Sequence, residues 1–402
     1  MEKNIFELTT EQLKEIAQSL QEKVETGLKQ KNSEVQCIPT FIYPKTDGVK
    51  GEALVLDLGG TNYRVATVDF NGEKPVIHPE NGWKKDLSVM KTPGFTEKDL
   101  FKEQADPIGE IRLDKEMPVG YCFSYPAESM LDGDAKLIRW TKGVDIKEML
   151  DKPVGLPLIN YLNERNDNKF TGIKVINDTV ASLFAGLTDS DSDAYIGLIV
   201  GTGTNMATFI NANKIEKIDP MSDRQGLIPV NLESGNFFPP HLTPIDDTVD
   251  ALSGSKGAQR FEKAVSGMYL GKILKAAFPL DEFEKDFDAR KLAMMMNYPD
   301  IYKEKHVQVA RWIYQRSAQL VAASLAGLIQ VLYAHDHSVK KIRLVAEGSL
   351  FWSKSKNGKS YKSLVMDELQ ILLNEFGLND VQVSVEEIDN ANLIGTAIAA
   401  LS

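Results

Sequence analysis

Two glycine-rich turns are the places where this chain could hold phosphate groups. The first, Gly-Gly-Thr, covers residues 59–61, and the second, Gly-Thr-Gly-Thr, covers residues 201–204. Because glycine lacks a Cβ, the backbone N–H groups of such a turn can approach an anion closely, and the threonine hydroxyls add donors. One such turn is usually only a β-hairpin. The presence of two in one chain favours phosphate binding.

A carboxylate lies just before the first turn. Asp57 stands inside the apolar, strand-like run LVLDL. Burial of a carboxylate without a partner is costly, so this side chain needs a compensating group. A hydrated magnesium ion would supply one, and hydrogen bonds from neighbouring backbone N–H groups would supply another. The sequence leaves both interpretations open.

Two further residues could take part in a transfer reaction. Asp178 follows the strand-like residues 173–176 and precedes a helical segment, which places it at the carboxyl edge of a strand, where clefts of α/β proteins bind ligands. It could accept a proton from a hydroxyl group, or it could cap the helix. Lys142, in RWTKGVD, carries a charge that would stabilise a transferring phosphate, but a solvated lysine is the more common case.

Other nucleotide and metal signatures are incomplete. Residues 358–360 (Gly-Lys-Ser) end like a P-loop, but Ser353 occupies the place of the first glycine and no strand comes immediately before it. The Gly-Thr-Gly of the second turn lacks the third glycine of a dinucleotide fingerprint and leads into a strand. His335 and His337 have no Cys or carboxylate cluster to complete a metal site. We therefore expect residues 358–360 to form a surface loop and the second turn to form no Rossmann site. We expect His335 and His337 to lie in a loop at the end of a helix.

The elements around the two turns follow the same pattern. Strand-like residues 53–58 and 62–70 flank the first turn, and residues 195–200 and 205–210 flank the second. The distance between the two copies far exceeds the roughly 20–50 residues of a solenoid repeat. The pattern predicts two related halves with a cleft between them.

Elsewhere the chain alternates strand-like and helical segments. The strand-like segments 117–124, 172–176 and 341–346 alternate with helical ones, whereas residues 256–333 are mostly helical. Thr9 and Gln12 have the spacing of a capping box and predict a helix that ends near residues 27–30. The alternation is typical of an α/β protein.

Length and composition limit the class of protein. The 402 residues exceed the roughly 250–300 residues at which a single core stops growing, so we expect two domains or one split fold. The chain carries 46 Lys and Arg against 57 Asp and Glu, a net charge of −11, which argues against a nucleic-acid partner. Cys37 and Cys122 are its two cysteines, which favours a reducing compartment.

The N-terminal residues lack the apolar core of a signal peptide, and no uninterrupted run of about 18 apolar residues occurs. These features predict a soluble, cytoplasmic protein that does not enter a membrane.

Seven longer motifs identify a possible family. They are LVLDLGGTNYRV (residues 54–65), FSYP (123–126), WTKG (140–143), VINDTV (175–180), IGLIVGTGTN (196–205), NLESG (231–235) and QRFEKAVSGMYLGKIL (259–274). In content and order they resemble the eukaryotic-type hexokinase family, and they span most of the chain. GTN-R, NDT-V and FEK-SGMYLG separate the sequence from the bacterial glucokinases that share the wider actin-like fold.

The resemblance implies a fold and an activity. The fold would be α/β, with two related actin-like/RNase H-like domains facing a cleft: a small domain of residues 49–178 and 389–402 and a large domain of residues 1–48 and 179–388. The activity would be transfer of the γ-phosphoryl group of ATP, with Mg²⁺, to the 6-hydroxyl of a hexose, the first step of glycolysis. Glucose is the hexose most expected, with mannose, fructose and amino sugars as alternatives. No protein partner is indicated.

The resemblance also implies roles for individual residues. Asp178 would be the catalytic base and Lys142 a cleft residue near the reacting oxygen. The sugar hydroxyls would be bound by Ser124, Thr141, Asn177, Asn205, Glu233 and Glu262. The nucleotide and its phosphates would be surrounded by Asp57, Gly59, Gly60, Thr61, Asn62, Arg64, Gly201, Thr202, Gly203, Thr204, Gly348, Ser349 and Gly395. Asp57 would also hold magnesium, through water. Two positions depart from the family pattern: Glu347 replaces an aspartate beside the adenosine loop, and Ser234 replaces a tryptophan beside the sugar.

Two other kinds of protein remain as alternatives. A sugar-binding regulator could retain the cleft without catalysis, but every proposed catalytic residue is present. An actin-like or chaperone-like ATPase could use the cleft to signal to a protein partner. Glu233, Glu262 and Asn205 suit sugar hydroxyls and argue against that alternative, unless the two glutamates are ordinary surface residues.

Overall fold

The computed structural model describes residues 4–44, 49–60, 62–72, 74–109, 111, 116–165, 170–188, 191–218, 226–284, 286–356 and 358–402, without the side chains of residues 79–82. The helices in this part of the chain are α1 (Thr10–Lys29), α2 (Glu97–Gly109), α3 (Leu156–Arg165), α4 (Asp178–Ala185), α5 (Pro244–Ala251), α6 (Arg260–Val265), α7 (Gly267–Ala277), α8 (Ala289–Asn297), α9 (Glu304–His335), α10 (Tyr361–Glu375) and α11 (Ala391–Ala400). The strands are β1 (Ile38–Pro39), β2 (Glu52–Leu58), β3 (Asn62–Asp69), β4 (Val76–Asp86), β5 (Met117–Phe123), β6 (Ala127–Ser129), β7 (Ala135–Leu137), β8 (Phe170–Ile176), β9 (Ala194–Val200), β10 (Thr204–Asn211), β11 (Leu227–Asn231), β12 (Lys341–Glu347) and β13 (Gln382–Glu386).

Two mixed sheets have the same strand plan. One sheet has the order β4-β3-β2-β5-β8, and the other has the order β1-β11-β10-β9-β12-β13. In each, three antiparallel strands joined in sequence continue into two parallel strands: β2, β3 and β4 lead to β5 and β8, while β9, β10 and β11 lead to β12 and β13. The two glycine turns join β2 to β3 and β9 to β10. The predicted α/β fold with two related halves is therefore confirmed.

Helices α4 and α11 lie between the sheets. A buried apolar cluster joins them to residues of β2 and β5 on one side and of β10 and β12 on the other. At the helix crossing, a Cβ added to Gly395 of α11 would lie only 1.8 Å from the backbone oxygen of Ala181 in α4. The crossing requires glycine at this position because no side chain fits between the two backbones.

The other two cores lie on the outer faces of the sheets. One core lies between the outer face of the six-stranded sheet and helices that include α1, α9 and α10. The other lies between the five-stranded sheet and helices α2 and α3. Strand β1 pairs with β11, so the segment before residue 49 contributes to the six-stranded sheet, while α11 packs against β2 and β5. The predicted domain assignment and its boundaries remain a prediction.

The local sequence sets the residue at which helix α1 begins. Helix α1 begins after Thr9, whose hydroxyl accepts a hydrogen bond from the backbone N–H of Gln12, while the Gln12 side chain accepts one from the N–H of Thr9. The predicted capping box is confirmed.

Among the described helices, α9 alone is long and apolar enough to cross a membrane by length and composition, but 78% of its most apolar window is buried inside the protein. A core helix of this kind has the same properties.

Candidate active site

The cleft between the two sheets brings together the residues on which the sequence analysis relied. It encloses about 650 Å³ and is lined by residues at the ends of strands from both sheets. The predicted site residues among its walls are Asp57, Gly59, Gly60, Asn62, Arg64, Ser124, Thr141, Lys142, Asn177, Asp178, Gly201, Thr202, Gly203, Thr204, Asn205, Glu233, Glu262, Gly348 and Ser349. The roles of the individual residues remain predictions, but the structure places these residues around one cavity.

Two predicted residues are not part of this set. Thr61 lies outside the described residues. Gly395 is buried in the crossing of α11 with α4 rather than in the cleft wall. The missing side chain of Gly395 makes room for a helix backbone, and its expected place beside the nucleotide stays a prediction.

An ion pair joins the two strands that flank the first glycine turn. Asp57 in β2 faces Arg64 in β3 across the strand pair, and its Oδ2 accepts hydrogen bonds from Arg64 Nε at 2.8 Å and Nη2 at 2.5 Å. Arg64 Nη1 also donates to Asn390 Oδ1 at 3.2 Å. The structure thus gives Asp57, which is 6% exposed, a charged partner that neither sequence interpretation included.

Lys142 lies across the first turn. A Cβ on Gly60 would contact the Lys142 side chain at 3.1 Å, and the Lys142 Nζ donates to the backbone oxygen of Ser124 at 2.7 Å. The residue has a left-handed backbone with φ 58°, which is uncommon without glycine. An ammonium group is therefore held beside the turn that was predicted to bind phosphate.

The second glycine turn adjoins another cavity. Gly201 donates its N–H to the Gly203 oxygen at 2.9 Å. Gly348 packs against this turn with φ 109°, and a Cβ there would lie 2.2 Å from the Val200 oxygen. Beyond this contact, a cavity of about 600 Å³ shares Gly201, Thr202, Met268 and Ser349 with the cleft, and its apolar walls include Phe287, Ala293 and Leu350. Its size and its apolar walls suit a nucleoside.

Asp178 is the first residue of α4 and faces the cleft. The cap of this helix is Asn177, whose Oδ1 accepts the Thr179 N–H at 2.9 Å. Asp178 Oδ1 also accepts from the Thr179 N–H at 2.8 Å and from its hydroxyl at 3.3 Å. The main capping role belongs to the neighbour, so the second carboxylate oxygen of Asp178 has no hydrogen bond from a described residue and is available to a ligand.

Glu233 and Glu262 lie on the same side of the cleft as the second glycine turn, with Asn205 in the same wall. Glu262 Oε2 accepts the Thr204 N–H at 3.2 Å, and Glu233 Oε1 accepts from the Asn231 amide at 2.8 Å. Burial is the main cause that raises the pKa of both glutamates, and a neighbouring carboxylate, Asp178 for Glu233 and Glu233 for Glu262, raises it further. The alternative that both are surface residues is wrong, since both line the cleft.

Several cleft residues were missed by sequence analysis. Gln259, with a left-handed φ of 54°, and Lys84 and Lys91 also line the cavity. Lys84 stands beside Arg64 in the register of β3 and β4, which makes a row of charges across three strands. Only the strand register reveals this row. Gln259 could have been noticed because it begins the QRFEK motif.

The two departures from the family pattern have different positions. Ser234 is fully buried, and its N–H donates to Asn205 Oδ1 at 3.1 Å. Glu347 ends β12 in the cleft, where its Oε1 accepts from the Ser182 hydroxyl at 2.8 Å. Burial, together with the nearby carboxylates of Asp178 and Asp57, raises the pKa of Glu347 to about 7.

The motifs that were predicted to be unrelated to the site do not line the cleft. Gly358 is exposed, and Ser360 caps α10. His335 ends α9 and its Nε2 lies 2.9 Å from Glu25 Oε1. Among the described residues, no group of three or more His, Cys, Asp or Glu side chains could hold a metal ion.

Comparison with known proteins identifies the family. Two family models, both described as hexokinase, match residues 2–187 and residues 195–297 with 289–402. The chain belongs to the hexokinase family. Membership places it among the enzymes that phosphorylate hexoses with ATP.

Two relatives show how far the similarity extends. Hexokinase-2 of Schizosaccharomyces pombe is 30% identical over 99% of this chain and 95% of its own length. Human Hexokinase HKDC1 is 33% identical over 67% of this chain, but the matched region is only 30% of that protein.

Solved structures agree with the fold. The hexokinase from Schistosoma mansoni complexed with glucose has a TM-score of 0.82 at 25% identity and covers 99% of this chain and 96% of its own. The ROK hexokinase from Thermus thermophilus, at 17% identity, has a TM-score of 0.51 over 87% of this chain and 98% of its own, which is a likeness of fold alone. The predicted class of two related actin-like/RNase H-like domains facing a cleft is confirmed.

Proposed function

We propose that this chain transfers the γ-phosphoryl group of ATP to the 6-hydroxyl of glucose, and that Asp178 is the catalytic base. The observation that carries the proposal is the position of Asp178 in a single cleft, with the first glycine turn and Lys142 on one side and the second glycine turn, Glu233 and Glu262 on the other. The glucose in the Schistosoma mansoni structure supports the choice of sugar. Mannose, fructose and amino sugars are the other candidates.

The reaction needs one proton acceptor and positive charge around the transferred phosphoryl group. The 6-hydroxyl oxygen attacks the γ-phosphorus, the bond from that phosphorus to the β–γ bridging oxygen breaks, ADP leaves, and the hydroxyl proton passes to Asp178. Such a transition state requires mainly positioning and charge neutralisation. The N–H groups of Gly59, Gly201 and Thr204 already donate within the protein. Lys142 and the remaining N–H groups of the two glycine turns would supply both around the phosphates.

Magnesium fits the charges at the first turn. Mg²⁺ commonly keeps several waters and uses one or two carboxylates together with substrate phosphates. Asp57 would hold the ion through water, since Arg64 occupies its Oδ2. When bound, the ion would neutralise negative charge on the phosphates.

The proposed sugar-binding residues would let the enzyme distinguish a hexose hydroxyl from water as the phosphoryl acceptor. Water is smaller and more abundant than a sugar hydroxyl, so the site must assemble only when sugar is bound. The position of the cleft between two sheets supports closure on the sugar, which would exclude water and align the 6-hydroxyl with the γ-phosphate.

The two cysteines support a cytoplasmic location. Cys37 and Cys122 are both buried and unpaired with each other, as suits a reducing compartment. The proposal includes no nucleic-acid and no membrane partner.

A panel of hexoses tests the function. Purified protein is incubated with ATP, Mg²⁺ and each of glucose, mannose, fructose and glucosamine, and ADP and hexose 6-phosphate are measured together, with ATP alone as the control. We expect equal amounts of both products with glucose and little ADP without sugar. Sugar binding without either product would indicate a regulator, and sugar-independent ADP release would indicate a signalling ATPase.

A further inference from the structure

A buried asparagine lies directly behind two of the proposed sugar ligands. Asn231 is the last residue of β11 and is 4% exposed. It faces Ala207 of β10 on one side and Ile38 of β1 on the other. Its backbone is therefore held from both sides within the sheet, which gives the side chain a fixed origin.

The Asn231 side chain contacts both Glu233 and Asn205. Its Nδ2 donates to Glu233 Oε1 at 2.8 Å. Its Oδ1 accepts from Asn205 Nδ2 at 2.7 Å and from the Glu233 N–H at 3.3 Å. The opposite orientation of the amide would set its NH₂ group against other donors and its oxygen against a carboxylate, so the network defines which atom points where.

These bonds determine which atoms remain for a ligand. Asn205 Oδ1 is already used by the N–H groups of Met206 at 2.8 Å and Ser234 at 3.1 Å, so Asn205 presents its remaining N–H. Glu233 presents its second carboxylate oxygen. One donor and one acceptor side by side match a sugar hydroxyl, which can accept from the first and donate to the second.

The loop after Asn231 depends on the same contacts. Glu233 has a left-handed backbone with φ 54°, which a residue with a Cβ adopts only when its surroundings enforce it. The bonds from the Glu233 and Ser234 N–H groups to the two asparagine side chains hold this turn. Asn231 thereby fixes the backbone of Glu233 as well as its carboxylate.

We propose that Asn231 is a positioning residue of the sugar site, which aims the free oxygen of Glu233 and the free N–H of Asn205 at the same hexose hydroxyl. The proposal rests on the proposed function, because it assumes that Glu233 and Asn205 bind the sugar. Asn231 itself does not line the cleft.

A second effect of the contact is electrostatic. Burial raises the pKa of Glu233, and the hydrogen bond from Asn231 lowers it. The charges of Arg139 and Lys142 also lower this pKa, and that of Asp178 raises it. Loss of the Asn231 donor removes the strongest of the influences that favour the ionised carboxylate. As the pH is lowered, an enzyme without the Asn231 amide should therefore begin to lose sugar affinity at a higher pH than the wild type does.

The test compares Asn231→Ala and Asn231→Asp with Asn211→Ala, a matched change at an exposed asparagine that ends the neighbouring strand β10. The readouts are KM for glucose, KM for ATP, basal ATP hydrolysis and the pH profile of kcat/KM for glucose. For Asn231→Ala we expect KM for glucose to rise about 10-fold or more, as for a lost hydrogen bond to a charged group. KM for ATP and basal hydrolysis should stay within about twofold, and the acid limb of kcat/KM should move to higher pH.

Asn231→Asp keeps the shape and guards against a folding defect in the alanine variant. At neutral pH the introduced carboxylate would face that of Glu233, so glucose binding should weaken as in Asn231→Ala. On acidification the introduced carboxyl group, once protonated, could donate to Glu233, and part of the deficit relative to the wild type should disappear. The absence of that recovery would contradict the proposal.

Glu233→Gln separates this inference from the proposed function. If Glu233→Gln weakens glucose binding while both Asn231 variants bind glucose like the wild type, the positioning role is overturned and the proposed site stands. A parallel rise in both KM values with an unshifted pH profile would also overturn it, since that pattern indicates general damage to the fold. If Glu233→Gln itself leaves glucose affinity unchanged, the sugar site has been assigned wrongly and the inference falls with it.

Discussion

Glu262, as a proposed sugar ligand, would favour hexose binding and lower the stability of the free enzyme. It is a carboxylate in a cleft wall, with one oxygen bonded to the Thr204 N–H and a pKa that burial raises. A buried group whose pKa is raised binds protons better in the folded state than in the unfolded state. Its contribution to stability is present below the ordinary glutamate pKa and is lost as pH rises through the raised folded value.

Glu262→Gln should therefore weaken hexose binding and stabilise the free enzyme. We expect a loss of about 1.5–3 kcal/mol in glucose binding, the range for hydrogen bonds to charged groups, and a higher Tm at pH 8 than that of the wild type. The Tm difference should shrink as the pH approaches 4. Glu282→Gln, at an exposed position, serves as the control in tryptophan-fluorescence titrations and thermal melts. Unchanged glucose affinity would mean that the carboxylate does not hold sugar.

Arg64 belongs to the phosphate side of the cleft. Its guanidinium pairs with Asp57 beside the first glycine turn, so Arg64→Ala should raise KM for ATP about 10-fold or more by loss of a charge-assisted contact. KM for glucose should change little. Arg165→Ala, an exposed arginine at the end of α3, controls for a general effect of lost charge. A collapse of glucose affinity with normal ATP affinity, measured by calorimetry, would show that the turn holds a different ligand.

At the scale of elements, α4 and α11 transmit the positions of the two sheets to the carboxylate of Asp178, the proposed catalytic base. Helix α4 begins with Asp178 and meets α11 where Gly395 leaves room for the Ala181 backbone. A methyl group at residue 395 cannot fit unless one helix moves. Movement of α4 would displace Asp178 relative to both substrates.

Gly395→Ala should cost about 1–3 kcal/mol of stability, the usual range for overpacking, and should lower kcat. Gly254→Ala is the matched control, because a Cβ at that glycine meets nothing within 4 Å. Urea denaturation and steady-state kinetics on both variants check the prediction. Equal stability of the two would mean that the crossing is loosely packed.

The elements were also where sequence analysis succeeded best. Hydrophobic runs and glycine turns predicted β2, β3, β9 and β10 to within one or two residues, because alternation of turn and strand signals is local. The pairing of Asp57 with Arg64 and the position of Lys84 depend on strand register, which a single sequence does not specify. The family resemblance placed Gly395 beside the nucleotide, and the sequence alone does not show that its missing side chain makes room for the backbone of α4.

At the scale of the whole molecule, the site exists only where two separate halves meet. Residues 57–64 and 141–142 come from one side of the cleft, and residues 201–205, 233 and 262 from the other. Neither half alone contains both phosphate turns and the sugar carboxylates. Closure of the halves on a hexose would therefore complete the site and exclude water.

Small-angle X-ray scattering measures that closure. We expect the radius of gyration to fall when saturating glucose is added to wild-type protein and to change little when sorbitol, an open-chain polyol, is added instead. Glu233→Gln should need more glucose for the same change, since closure depends on sugar contacts. An unchanged radius in wild type at saturation would contradict sugar-driven closure.

The central claim is that Asp178 removes the proton from the hexose hydroxyl, and Asp178→Asn tests it most directly. Asparagine keeps the shape and one acceptor but cannot take the proton. Rapid-quench measurement of hexose 6-phosphate formation, at saturating ATP and glucose, should show kcat lowered by at least about 10²-fold, the low end for a general base. Glucose binding, measured by tryptophan fluorescence on the same samples, should remain near the wild-type value. Near-normal turnover in the folded variant would contradict the account.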